Sequence, residues 1–67
     1  MIQFNLFSPP EDKVEILSRR SPEFNILAIS YNPNDKKPDS YYFLIEAPEE
    51  EMLYFRLKYG NNNVWKR

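Results

Sequence analysis

The chain has no cysteine, no histidine and a single glycine among 67 residues. Without cysteine there is no disulfide, no thiolate nucleophile and no thiolate-held zinc or iron–sulfur cluster. Without histidine the commonest general base, imidazole metal ligand and near-neutral pH switch are missing too. A lone glycine, Gly60, excludes a glycine-rich phosphate loop in practice. Long apolar runs are also lacking. The longest aliphatic stretch is Ile26–Ile29, far below the ~20 residues that span a bilayer. The N-terminus does not combine a basic region with an apolar run, so no export signal is read and a cytoplasmic protein is expected. Neither sign of charge dominates, with nine basic against ten acidic residues and a net charge of −1. That balance, with 42% hydrophobic residues, is the opposite of a disordered chain.

Aromatic side chains are what the sequence has in abundance: one tryptophan, five tyrosines and five phenylalanines. A chain of this length buries only about 60% of the surface its unfolded form exposes. Its core supplies ~3–5 kcal/mol of net stability. A single domain over residues 1–67, held by hydrophobic packing, is therefore expected. Rings that so small an interior cannot hold must lie outside it.

Ile2, Phe4 and Leu6 alternate with Gln3 and Asn5, which reads as a strand with one buried face and puts Phe7 on the other. Ser8-Pro9-Pro10-Glu11 then reads as a helix start, with Ser8 as N-cap and Pro9 at the first helical position. Glu11 and Asp12 suit the positive end of that helix, and Arg19 and Arg20 the negative end. The rival is a strand over Val14–Arg19. Ser21-Pro22 ends the element. Residues 24–31 form the clearest strand, apolar on both sides and so expected at the centre of a sheet. Residues 32–39 carry turn chemistry throughout, and residues 40–46 return as the second strand of a hairpin. Pro48, the acidic Glu49-Glu50-Glu51, Lys58 and Gly60 bound a helix over 49–59. Strict alternation of Leu53, Phe55, Leu57 and Tyr59 with polar neighbours argues for a strand there instead. Val64–Arg67 adds a short last strand.

With both helices the order is β-α-β-β-α-β: an α+β, ferredoxin-like sheet with helices on one face. With neither, it is an all-β small barrel of five to six short strands. The expected core is Phe4, Leu6, Ile26, Ala28, Phe43, Ile45, Leu53 and Leu57.

Few residues suggest chemistry. Glu49, Glu50 and Glu51 point about 100° apart on a helix and cannot converge on one cation. Asp35 and Asp39, with Asn32 and Asn34, lack a calcium-loop pattern. The serines have no histidine to activate them, and no lysine sits in a catalytic motif. No catalytic residue, metal or cofactor is assigned, and the protein is expected not to be an enzyme. The expected role is a small protein-binding module: a regulatory subunit, an inhibitor such as a phage encodes, or an accessory protein. Its partner would be another protein or a second copy of itself. Arg56, Tyr59 and Trp65 are the expected contact residues, because tyrosine, tryptophan and arginine concentrate binding energy at interfaces. Arg56 has no acid three or four positions away. Trp65, close to the last residue, is the ring its own chain encloses least. The alternative is single-stranded nucleic acid or RNA, stacked on hairpin aromatics such as Tyr31 and Tyr41 beside Lys36 and Lys37. The near-neutral charge counts against it.

Overall fold

A computed structural model describes residues 1–19, 23–32 and 40–67, and for Tyr31 and Asn32 the backbone only. The expectations placed on Arg20, Ser21, Pro22 and the 33–39 loop, including Lys36 and Lys37, lie outside the described residues. The architecture is α+β. Its elements are β1 (Ile2–Ser8), α1 (Lys13–Ser18), β2 (Asn25–Asn32), β3 (Ser40–Ala47), α2 (Glu49–Tyr59) and β4 (Val64–Lys66). Short 3-10 turns at Pro10–Asp12 and Asn61–Asn63 precede α1 and β4. One sheet runs in the order β2-β3-β1-β4, with every neighbouring pair antiparallel. The two helices remove the all-β barrel alternative.

The strand expected at the centre is an edge. β2 pairs with β3, and the central pair is β1 and β3, matched from Ile2 opposite Ala47 to Ser8 opposite Tyr41. Two apolar faces on β2 were therefore no sign of double cover. Its register against β3 slips between Ile26 and Ala28. The irregularity at Leu27 turns Ala28 to the side opposite Leu44, away from the core. Ala28 is exposed and Ile26 only half-buried.

The first helix is shorter than its signals promised. Ser8 stays in β1, buried, and its hydroxyl donates to the Pro9 carbonyl at 3.3 Å. Pro9 is extended (φ −64°, ψ 153°), so the chain enters a 3-10 turn before α1. Asp12, just ahead of α1, makes no side-chain cap. Pairing of Ser8 with Tyr41 in the ladder outweighs the capping chemistry. Arg19 lies past the last helical turn in extended conformation.

Residues 49–59 are helical as the boundary chemistry indicated, but with a different inner stripe. Met52 and Phe55 are buried and Tyr59 packs against them, whereas Leu53 is exposed and Leu57 is 90% exposed. Glu49 and Glu50 sit one turn before Leu53 on the same side of the helix. Burying the leucines would draw unpaired carboxylates towards the core. With Met52 and Phe55 inward, Glu51 meets Arg19 and Lys58 meets Glu15 across to α1, each pair at 2.7 Å. The helix ends at Gly60 (φ +93°), whose N–H donates to the Arg56 carbonyl at 2.9 Å. That left-handed turn is the one place where glycine is required.

The core joins Phe4 and Leu6 of β1, Phe43, Ile45 and Ala47 of β3, and Val64 of β4 to Ile16, Met52 and Phe55 of the helices. All of the strand residues in it share one face of the sheet. Phe55 is the hub, with ring centres 6.3 Å from Phe4, 6.1 Å from Phe24 and 6.0 Å from Tyr59.

Candidate functional site

Antiparallel pairing sorts the remaining strand side chains onto the second face. Phe7 is opposite Tyr42, Asn5 opposite both Leu44 and Trp65, and Gln3 opposite Glu46. Ala28 and Ser30 of β2 join them, opposite Leu44 and Tyr42. Both described helices bury their residues on the other side, so this face is open. Across it the Tyr42 ring stands between Phe7 and Trp65. The centroids are 4.9 Å and 5.6 Å away, and both contacts are edge-to-face at 82°. Each such contact is worth ~0.5–1.5 kcal/mol beyond area burial. Half-shielded by one another, Tyr42 and Trp65 remain 37% and 36% exposed.

Polar residues surround the rings. Gln3 Nε2 donates to Glu46 Oε2 at 3.4 Å. The Arg67 backbone N–H donates to the Gln3 carbonyl at 3.0 Å, continuing the β1–β4 ladder past Lys66 and tying Trp65 down against fraying. The result is an aromatic centre with a polar rim, able to take up an apolar or aromatic surface but carrying no group that could move a proton or attack a bond.

The three expected contact residues do not form one patch. Only Trp65 lies on the open face. Tyr59 faces the core, its ring stacked on Phe55 at 11°. The Tyr59 hydroxyl is buried without a hydrogen-bond partner among the described residues. Burial first, and the nearby Asp12 and Glu15 carboxylates after it, hold its phenol above the usual tyrosine value. Arg56 is half-buried, and its Nε donates to the Val64 carbonyl at 3.4 Å. It binds α2 to β4 and serves the fold.

The hairpin rings separate in the same way. Tyr41 shares the covered face with Phe43 and packs against the core. Lys13 Nζ donates to its hydroxyl at 3.4 Å and sits 4.7 Å from its ring centre. Tyr41 therefore offers no exposed stacking surface, because period two puts it with Phe43 and puts Tyr42 on the open side. The Tyr31 side chain is outside the described residues. Phe7 and Tyr42 are the site residues that attention to arginine and to the last residues passed over. The alternation of β1 and β3 already contained the signal for both.

A second polar cluster lies between the helices. Arg19 grips Glu51 through two bonds, Nη2–Oε2 at 2.7 Å and Nε–Oε1 at 3.3 Å, and its guanidinium lies 4.3 Å from the Tyr54 ring centre. The hydrogen bond from Glu51 raises the Arg19 pKa, and that from Glu15 raises the Lys58 pKa. These pairs border a shallow cleft with Tyr54 and Tyr59 on its wall. Its charged groups already neutralise one another, which suits a clamp between helices. Among the described residues no three carboxylates converge to hold a metal ion, and no helix is long and apolar enough to cross a membrane. No family model, curated protein or solved structure matches the chain.

Proposed function

We propose that this chain is a small non-enzymatic protein-binding module whose contact surface is the open face of its sheet. Trp65, Tyr42 and Phe7 form the centre of that surface. We read the fold as ferredoxin-like, which the β-α-β-β-α-β element order and the antiparallel β2-β3-β1-β4 sheet support. In that arrangement one sheet face carries the helices and the other is free for contacts. The observation that carries the reading is the perpendicular packing of three half-exposed rings on the free face. Aromatic anchors inside a polar rim are what protein interfaces concentrate at their centres. Such a module acts as a regulatory subunit, an inhibitor or an accessory protein by occupying a surface of its partner.

Single-stranded nucleic acid is the second reading, and one observation favours it: Phe7 and Tyr42 face outwards side by side on the two central strands. Successive bases stack on parallel ring faces along a positively charged groove. Rings set at 82° to one another and a rim containing Glu46 fit that poorly.

The test is affinity capture from the native host with the wild-type chain and with Trp65→Ala, beside binding of a mixed single-stranded oligonucleotide at low and moderate salt. The protein-binding reading expects a partner held by the wild type, weakened by more than ~2 kcal/mol in Trp65→Ala, and no oligonucleotide binding. Oligonucleotide binding that falls steeply with salt would replace it with the second reading.

A further inference from the structure

The two edges of the sheet are built differently. β4 is three residues long and is followed directly by Arg67, so its edge is short and basic. Short strands and cationic side chains are the usual means by which an edge is kept from pairing with another chain. β2 has neither. It is eight residues long, from Asn25 to Asn32, with no charge and no proline in it. Its one strand neighbour among the described residues is β3, so its outer row of N–H and C=O groups has no ladder partner. Apolar side chains accompany that free row: Leu27 and Ile29 are 46% and 44% exposed. Ile29 pairs with Phe43 on the covered face, yet the helices, packed over β1 and β3, leave it half open.

We propose that β2 is a pairing edge and that its occupant is β2 of a second copy of this chain. The two strands run antiparallel about a two-fold axis and join two sheets into one of eight strands. Charge selects this occupant. A strand without charge meets its own image with no like-charge contact, and a strand bearing charges would gain no counter-charge here. The nearest charge before β2, Glu23, is carried to opposite ends of an antiparallel pair, where it does not meet its copy. The irregularity at Leu27 leaves residues 28–32 as the regular stretch for new ladder bonds. Each copy's Ile29 then covers apolar surface that its own helices do not reach. This surface is separate from the Trp65 face, so the two proposals stand or fall independently.

The experiment is sedimentation equilibrium of the full chain, with amide exchange measured on the same samples. The wild type is expected at twice the mass of one chain, with β2 amides gaining protection as concentration rises while β4 amides do not. Ala28 is exposed in the single chain, so a lysine there leaves the monomer folded while confronting its own image. Ala28→Lys is expected to weaken self-association by at least about tenfold, and so is Ala28→Glu. An equal mixture of the two variants is expected to restore it. A wild type that remains monomeric at its solubility limit would overturn the proposal. So would a dimer whose β2 amides exchange as in the monomer, or one that both charged variants leave intact. Should a variant fail to fold, the exchange pattern of the wild type decides alone.

Discussion

The two faces of one sheet use aromatic residues in opposite ways. On the covered face Phe4, Phe43 and the helical Phe55 are enclosed, each at 2% exposure or less. On the open face Phe7, Tyr42 and Trp65 lean on each other's edges and remain accessible. Tyr42 and Phe43 are neighbours in sequence, and alternation alone assigns them to these two environments. Loss of a covered ring leaves a cavity in a core of about nine side chains. Loss of an open ring leaves solvent. The covered rings therefore hold the fold, and the open rings are available for contacts with other molecules.

This contrast is broken most directly at Phe43. Phe43→Ala should cost ~3–5 kcal/mol, as much as the whole domain has, so circular dichroism should report an unfolded chain at room temperature. A variant that stays folded would mean that the covered face is not where stability resides.

A smaller effect sharpens the comparison at Tyr59, whose hydroxyl is buried without a partner. Tyr59→Phe keeps the ring and removes the stranded group, so stability in urea should hold or rise by up to about 1 kcal/mol. The pH dependence has a definite sign. The folded phenol ionises above the usual value of 10.0, so above that pH the unfolded chain releases its proton first and binds fewer protons than the folded one. Wild-type stability then falls as pH rises past 10, and the raised Lys58 pKa adds to the loss. Tyr59→Phe should show a shallower alkaline decline than wild type. Equal declines would mean that Tyr59 does not contribute. The smallest change belongs to Leu57, on the outer side of α2. Leu57→Lys should alter the melting free energy by no more than about 0.5 kcal/mol.

Much of this organisation was legible in the chain. The alternation in residues 2–7 located β1 and its buried face, and the Pro48, triple-glutamate and Gly60 boundaries located α2 against a rival strand pattern. What was not legible required knowledge of neighbours. Both apolar stripes of α2 look alike locally, and Arg19 and Glu15, distant in sequence, supply the partners that select Met52 and Phe55. An edge strand with two apolar faces has the same pattern as a central one, and only pairing order tells them apart. Ser8 carries capping chemistry, but Tyr41, thirty-three positions later, holds it in the sheet. Tyr59 and Trp65 are close in sequence, yet the Gly60 turn and the short β4 send them to opposite sides of the sheet.

Urea unfolding of the double variant Tyr42→Ala/Trp65→Ala, beside wild type, is the most direct measurement. If the open rings serve contacts with other molecules, the variant unfolds in one cooperative transition within about 1.5 kcal/mol of wild type, the scale of the lost ring contacts. A loss of ~3–5 kcal/mol, as a truncated core aromatic would give, would show that the open face holds the fold as much as the covered one.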